Sequence, residues 1–503
     1  MFDSVDDAAL VAEIEGAGRA EASAAAHKLA LIAELVRRRE DAAVEDQQHW
    51  VCDPWAAAAC EVAAALHVGQ RAASKQMRIA VQLWDRLPSV AALFAEGAVS
   101  ASVVATLTWR THLIEDEQTL AIVDAQLASH VAEFGAMTAT QLERTVDKVV
   151  DSVDPAAVRR TRTAARGRDV RFGHPDDETG TTTVFARLTN ADAVALKNRV
   201  TVISDEVCSD DPRTPGQRRS DALGVIGHNG ERLACRCGDA KCPAAGVDWR
   251  AASTTIYVIA EPEAAVGAVD KFLDGDEESN PLPLFEPDPK LEPAVPARPA
   301  ALRPGRGGAV VVGGGVLPAP MVAQLIADGA KVTNLTRPEG DPSDAYRPPA
   351  VVERFVRMRD MTCRFPGCDR PAEFCDVDHT TPWPAGATHP SNIKCLCRIH
   401  HLLKTFWRGW SDQQLADGAV VWTSPSGRTY TTFPASRTLF PLWDTATAAL
   451  PPPATSSPPS ADKSGKMPRR RRTRAAEQAR HIAAERALNE AELADRERPS
   501  PSG

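Results

Sequence analysis

The stretch that decides the reading is Cys363-Arg-Phe-Pro-Gly-Cys368, then Cys375-Asp376-Val377-Asp378-His379, then Asn392-Ile-Lys-Cys395-Leu-Cys397-Arg-Ile-His400-His401-Leu-Leu-Lys404. Cys363 and Cys368 bracket a turn containing Pro366-Gly367, the spacing of a zinc knuckle, and Cys397 with His400 makes a second pair three residues apart. Positions three apart share a face of a helix. Four nitrogen and sulfur ligands arriving in two pairs predict a closed, tetrahedral structural zinc at Cys363, Cys368, Cys397 and His400, a staple for a module with too small an apolar core of its own.

His401 lies one helical step beyond His400, about 100° around the axis, so it can serve a different centre, with Lys404 one turn further on the same side. Asp376-Val377-Asp378-His379 reads as the end of a strand that Thr380-Thr381-Pro382 breaks, which lets Asp378 and His379 reach one pocket. A carboxylate oxygen from Asp378 and a nitrogen from His401, with positions left for water and phosphate, suit Mg2+ or Mn2+. Phosphodiester hydrolysis needs an activated water and a positive centre on the phosphate. His379 is the expected general base, since a neutral imidazole accepts a proton near neutral pH, and Asn392 is expected to orient its ring through a side-chain amide hydrogen bond. Lys404, Arg398 and Arg364 are the expected contacts to phosphate.

Outward from this segment the texture changes several times. Residues 5–165 are rich in Ala, Leu, Glu and Arg, with apolar residues recurring at three and four, as at Leu29, Ile32, Leu35 and Val36, and predict a mostly helical region. Within it, Cys60 to Met77, with Gly69 between two Ala-rich runs, reads either as an αα-hairpin of a bundle or as a helix-turn-helix presenting Arg71, Lys75 and Arg78 to phosphate. Residues 166–335 form a mixed α/β region with strands at Thr181 to Leu188 and Thr254 to Ile259, a helix near Asn190 to Val207 and a short helix at Pro320 to Gly329. The Pro- and acid-rich run from Asp274 to Pro304 reads as a linker, and the glycines from Gly305 to Gly315 match neither Walker nor dinucleotide spacing. The nuclease-like domain occupies 350–435. Residues 447–503 read as a disordered, basic, low-complexity tail in which helix-forming composition resumes at Ala475 to Arg496; the run Arg469 to Arg474 is either a solvated charge block or an arm onto phosphate.

At 503 residues the chain is too long for one ordinary core. Hydrophobic residues at 43% and charged residues at 25% fit a protein that folds in water. The acidic start Met1-Phe2-Asp3-Ser4 lacks the features of a signal peptide and no apolar run is long enough for a bilayer, so a cytoplasmic protein without membrane association is expected. In a reducing compartment the eleven cysteines stay thiols, and clusters of them are candidate metal ligands. Cys235, Cys237 and Cys242, with His228 nearby, are such a cluster and could bind a second zinc or remain free thiols; Cys52, Cys60 and Cys208 stand alone and read as packing residues. A formal net charge of -9 excludes a surface that coats nucleic acid throughout, but residues 351–410 hold nine Lys and Arg against six Asp and Glu, so binding is expected there.

The pattern resembles the HNH endonuclease superfamily: His379, Asn392 and His401 match its three letters, and Asp378 matches the acidic residue before the first His. The resemblance covers 354–410 and implies a ββα-metal fold, two strands and a helix around one catalytic divalent ion beside the structural zinc. Zinc-stapled members often present Cys-x-x-Cys-His in the helix; here His400 stands in place of the second Cys, which leaves Cys375 and Cys395 as spare candidate ligands. The longer arrangement resembles the 13E12 repeat family of bacterial proteins, which carry an N-terminal domain of unknown function of the 222 type. The expectation is therefore a multidomain α+β protein that hydrolyses double-stranded DNA with Mg2+ or Mn2+ beside a structural zinc, a homodimer being the simplest way to cut both strands. A zinc-stapled nucleic-acid-binding protein that has lost cleavage is the alternative, and a helical scaffold with a vestigial nuclease part is a third reading.

Overall fold

The computed structural model describes residues 6–134, 137–159, 168–176, 181–246, 248–258, 309–310, 316–338, 342–343, 345–441, 443–447, 450 and 467–497. The N-terminal part is a helical bundle of α1 (Asp7–Asp41), α2 (Pro54–Leu66), α3 (Gln70–Arg86), α4 (Pro88–Ala95), α5 (Ala101–Arg110), α6 (Glu117–Ser129), α7 (Val131–Phe134) and α8 (Ala139–Val153). Local chemistry explains several of its boundaries. Asp53 caps α2 by accepting from the Ala56 amide, Pro54 occupies the first turn where its missing N–H costs nothing, and His67 in the left-handed region ends the helix. Thr138 and Gln141 form a reciprocal capping box at the start of α8.

The middle of the chain holds the hairpin β1 (Asp169–Asp176) and β2 (Thr181–Arg187), then α9 (Asn190–Asp205), α10 (Pro215–Gly227), α11 (Trp249–Ala252) and β3 (Thr255–Val258). β4 (Ala309–Val310) and β5 (Val316–Leu317) follow, then α12 (Ala319–Ala327) and β6 (Lys331–Asn334), which runs parallel to β3. The expected strands and short helices of this region are present; the Pro-rich run from Asp274 to Pro304 lies outside the described residues, as do nine of the eleven positions from Gly305 to Gly315. The C-terminal part comprises α13 (Ala350–Asp360), β7 (Cys375–His379), β8 (Ile393–Cys397), α14 (Arg398–Phe406), the three-stranded sheet of β9 (Ser411–Gln414), β10 (Val420–Thr423) and β11 (Thr429–Thr432), α15 (Ser436–Leu439) and α16 (Arg474–Glu497). β7 and β8 pair antiparallel, with Cys375 opposite Cys397 and Asp378 opposite Lys394, and α14 begins at once after β8.

The helical and C-terminal parts share a core. On α2, Ala58, Ala59, Val62 and Ala63 belong to the bundle core, whereas Ala56, Ala57, Cys60 and Ala64 pack with Phe355, Phe365, Trp410 and Trp422. A helix rich in alanine can be buried on both sides because short side chains let a neighbour approach on each face. Cys60 to Met77 is thus an αα-hairpin inside the bundle, with Arg71, Lys75 and Arg78 exposed along α3.

The expectation of a disordered basic tail over 447–503 is corrected for residues 467–497. The basic run at 469–474 is docked rather than free: Arg470 and Arg474 pair with the buried Asp53, Arg469 pairs with Asp46, and the Val51 amide donates to the Pro468 carbonyl at 2.8 Å. Beyond it α16 packs on the bundle, with Ile482 in its core, Arg486 on Asp154 at 2.7 Å and Asn489 donating to the Ala156 and Val158 carbonyls. Sequence composition registers the positive charge of this run but not the carboxylates waiting for it some four hundred residues earlier. Among the described residues no helix is long and apolar enough to cross a membrane.

Between α13 and the sheet lies a fully buried ionic knot. Asp360 Oδ1 accepts from Arg359 Nε at 2.8 Å and Arg364 Nη1 at 2.9 Å, and Oδ2 accepts from the Cys395 amide at 2.8 Å. Arg359 goes on to the Pro390 and Ile393 carbonyls, and Arg364 to the Gly418 and Thr432 carbonyls. Burial by itself would raise the Asp360 carboxyl, but Arg359 and Arg364 outweigh it and hold the group below its ordinary range. A depressed carboxylate contributes stability that is complete above its unfolded value and is lost as pH falls through the folded one. Replacing Asp360 with Ala strands two buried guanidinium groups, and urea denaturation is expected to show a loss of about 3–5 kcal/mol.

Candidate metal centre and active site

The knuckle loop between α13 and β7 is set by packing against the bundle. Gly367 has φ +72 and a β-carbon there would lie 2.5 Å from the Val68 carbonyl oxygen, so only glycine lets the loop meet the α2–α3 turn. With the loop so placed, Cys363 and Cys368 face Cys397 at the end of β8 and His400 in the first turn of α14, and the four ligand atoms lie within 4.8 Å of one another. His400 Nδ1 is 3.4 Å from Cys363 Sγ and 3.2 Å from Cys397 Sγ, and among the described residues it is the only engaged nitrogen of that ring, since the buried Nε2 has no hydrogen-bond partner. Phe365 stacks on the imidazole at 3.9 Å and 11° and holds it flat toward the sulfurs. Hydrogen bonding from Cys363, then from Cys368 and His400, draws the Cys397 thiol far below its usual range, whereas burial pushes Cys363 well above it. These four residues can hold a metal ion. Cys375 and Cys395 lie outside the group; Cys375 Sγ instead faces the Pro371 carbonyl at 3.4 Å.

On the other side of α14, His401 turns toward β7. Its Nδ1 lies 2.8 Å from Asp376 Oδ2 and its Nε2 3.4 Å from Asp378 Oδ1. Strand alternation puts Asp376 and Asp378 on the same face of β7, a period that was readable in Asp-x-Asp although Asp376 was not singled out. Lys404, one turn further along α14, donates to Asp378 Oδ2 at 2.6 Å and to the His379 carbonyl, and lies 3.5 Å from Asp412. Lys394 on β8 pairs with Asp412 at 2.5 Å and donates to Thr380 Oγ1 at 2.8 Å. Burial would raise Asp378, but Lys404, Lys394 and His401 together hold its carboxyl below the ordinary range. Burial would also lower Lys404, yet Asp378 and Asp412 keep it raised and charged.

His379, the next residue, ends β7, and strand alternation turns it to the face opposite Asp376 and Asp378, so the expectation that Asp378 and His379 reach one pocket is corrected. Its ring stacks against the exposed Tyr346 at 5.7 Å, and Nε2 lies 2.8 Å from Thr388 Oγ1. The Thr388 hydroxyl donates to the Ala345 carbonyl at 2.6 Å, so in the neutral ring its oxygen is left to accept from Nε2–H. That bond selects the tautomer whose Nδ1 carries the lone pair. Burial lowers the imidazole pKa, partly countered by Asp378.

The expected role of Asn392 is corrected. Its side chain accepts from the Thr381 amide at 2.8 Å and donates to the Thr381 and Ala387 carbonyls, so it braces the loop after β7 and makes no hydrogen bond to the His379 ring. Gly386 comes so close that a β-carbon would sit 2.6 Å from Asn392 Nδ2. Arg364 is corrected as well: it is 2% exposed and spent on the Asp360 knot and on the Gly418 and Thr432 carbonyls. Arg359 and Lys394 are equally buried, so the local positive excess of the sequence is largely internal. Arg398 is the one of the three expected phosphate contacts that stands in solvent, 60% exposed and 3.5 Å from Asp376.

A second group forms in the middle of the chain. Cys208 joins Cys235, Cys237 and Cys242 with all four sulfurs within 4.8 Å, so it is not an isolated packing residue, and these four can also hold a metal ion. His228 stays out of the group, with Nδ1 2.6 Å from Ser253 Oγ. Twenty-seven residues separate Cys208 from Cys235, too far for a spacing rule to join them.

The fold and these donors define an α+β protein in which a helical N-terminal part shares its core with a strand–strand–helix unit carrying a Cys3His group. Residues 16–278 match the model of a domain of unknown function, DUF222, and the chain belongs to that family. It is similar to uncharacterized protein Rv2100 of Mycobacterium tuberculosis (strain ATCC 25618 / H37Rv), 49% identical over 505 residues that span 98% of this chain and 90% of the relative. Uncharacterized protein Rv3776 of the same strain is 49% identical over 503 residues, 99% of this chain and 92% of the relative. No solved structure matches the chain.

Replacing Thr388 with Val removes the acceptor for His379 Nε2–H while keeping the side-chain shape. Nitrogen-15 NMR of the imidazole is expected to show the Nε2–H tautomer in the parent protein and a mixture of tautomers in Thr388→Val.

Proposed function

We propose that the chain is a metal-dependent endonuclease of the HNH superfamily that hydrolyses phosphodiester bonds in double-stranded DNA. In this reading Cys363, Cys368, Cys397 and His400 hold a structural Zn2+, and Asp378 with His401 holds a catalytic Mg2+ or Mn2+. Zinc suits the first group because three sulfurs and one imidazole nitrogen match its borderline-soft preference. Zinc bonds of about 2.3 Å to sulfur and about 2.0 Å to nitrogen give a tetrahedron with S···N edges of about 3.5 Å. The observed separations of 3.2 and 3.4 Å are close to that edge.

The observation that carries the catalytic part is the meeting of Asp378 Oδ1 and His401 Nε2 at 3.4 Å. In the form of the ring that gives Nδ1–H to Asp376 and carries no proton on Nε2, a lone pair faces a carboxylate oxygen, and the two acceptors meet across a gap that a cation would fill. A carboxylate behind a ligating imidazole is also how proteins fix its tautomer. When bound, a divalent ion stabilises the charge that grows on the phosphate and polarises the groups around it. The protein's own part is proton transfer and positioning. In this reading the base is His379, whose Nδ1 would take the proton of the attacking water as its oxygen bonds to phosphorus and the bond to the leaving oxygen breaks; this requires bound DNA to bring the scissile phosphate past the end of β7 to the ring, which Thr388 holds in the receptive tautomer. Asn392 keeps the loop after β7 closed, and Arg398 is the solvent-facing cation for a neighbouring phosphate.

One observation favours the second reading, a nucleic-acid-binding protein without cleavage. Lys404 Nζ sits 2.6 Å from Asp378 Oδ2 and already supplies a positive charge to that carboxylate. Supercoiled plasmid incubated with the full chain and Mg2+, Mn2+ or a chelator separates the two. Nicking that needs metal, and that falls by at least about 100-fold in His379→Ala, is the expected result. Equal nicking by parent and variant would remove His379 as the base, and a gel shift with no product under any metal would establish the binding reading.

A further inference from the structure

We propose that Cys208, Cys235, Cys237 and Cys242 form a separate tetrathiolate zinc centre, purely structural, that holds the middle of the DUF222 region together. It shares no residue with the nuclease reading and does not depend on it. The four sulfurs lie within 4.8 Å of one another, and Cys208 Sγ is 3.5 Å from Cys235 Sγ. Zinc–sulfur bonds of about 2.3 Å set S···S edges of about 3.8 Å in a tetrahedron, so these sulfurs have the spacing of a closed site. No carboxylate or imidazole belongs to the group, and an all-sulfur donor set selects zinc over the hard divalent ions.

The surrounding chain is arranged to deliver those thiols. Cys208 follows the end of α9, and the other three lie on a stretch without helix or strand between α10 and α11. That stretch folds on itself: the Cys235 amide donates to the Ala244 carbonyl, the Cys242 amide donates to the Asp239 carbonyl, and Gly238 turns the chain at φ +79. Buried ion pairs clamp the two thiol-bearing segments to each other. Asp211 accepts from Arg213 Nε at 2.9 Å and Nη2 at 2.7 Å, and also from the Arg236 amide at 2.9 Å, between Cys235 and Cys237. Arg213 reaches on to Asp221 and to the Ala234 carbonyl, and Arg236 reaches Asp328 at the end of α12.

Such a clamp orders the loop but does not supply a core. Among the described residues, the apolar cluster of this region has five buried members, Ile203, Val207, Ala222, Val225 and Leu233. So small a core is the situation in which proteins add a metal or a disulfide, and metal binding then becomes folding free energy. Four thiols meeting at one point, rather than in two separate pairs, make the metal the simpler staple.

The test is the zinc content of the purified full chain and its single variants, measured by mass spectrometry of the metals. Two zinc ions per parent chain, one in Cys208→Ser and one in Cys363→Ser are expected. Replacement with Co2+ gives a spectroscopic check: Cys363→Ser, retaining four sulfurs, should show ligand-field bands at longer wavelength than Cys208→Ser, which retains three sulfurs and an imidazole. Trypsin should cut Cys208→Ser between residues 199 and 246 faster than the parent. Unchanged zinc in Cys208→Ser, iron in place of zinc, or a Cys208–Cys235 disulfide in protein alkylated on lysis would each overturn the inference. If Cys208→Ser is insoluble, the parent stoichiometry decides, since two zinc ions support the centre. A single zinc that Cys363→Ser abolishes overturns it, while a single zinc that Cys363→Ser retains supports it and removes zinc from the nuclease reading instead.

Discussion

The carboxylate of Asp360 holds together everything around the candidate site. It lies out of reach of water, at the end of α13, and accepts from two guanidinium groups and from the backbone of β8. Through Arg359 it fixes the chain that precedes β8, and through Arg364 it fixes the knuckle loop to the edge of the β9–β11 sheet. Two charges balanced on one acid in a dry interior demand full pairing, because an unpaired member costs several kcal/mol. The geometry of β8, and hence the start of α14 with both of its histidines, follows from that demand.

The alanine-rich α2 is the second constraint. Its two faces serve two cores, so the knuckle loop, with Gly367 against Val68, is shaped by the bundle as much as by its own ligands. The Trp407 indole donates to the Cys52 carbonyl at 2.8 Å and draws the segment after α14 to the same place. A 60-residue metal-binding module would be marginal alone; here it borrows apolar surface from the helices. The C-terminal arginines extend the arrangement, since Arg470 and Arg474 both end on Asp53, the residue that caps α2.

At the candidate site, the acids of one strand face the basic side chains of one helix. Asp376 and Asp378 on β7 face His401 and Lys404 on α14, with Lys394 and Asp412 behind them. The two faces of α14 thereby keep sulfur chemistry and carboxylate chemistry apart, with His400 turned to one and His401 to the other. His379, beyond the edge of this array, is positioned by a hydroxyl and an aromatic ring, Thr388 and Tyr346, and not by the array itself.

Local order in the sequence determined a good deal: the helical N-terminal texture, the strand runs near 181 and 255, the resumption of helix near 475, and the four donors Cys363, Cys368, Cys397 and His400. Each rests on a short-range rule, a period of 3.6 or 2 or a spacing within one turn, which a linear chain displays openly. Tertiary structure alone decided that Cys208 meets Cys235, that Thr388 takes the place expected of Asn392 beside His379, that Arg364 is buried on Asp360, and that Arg469, Arg470 and Arg474 of the basic run dock on Asp46 and Asp53. These contacts join residues separated by long stretches or by opposite faces of a turn, and a side chain's charge or donor atoms do not reveal which distant partner will satisfy them once water is excluded.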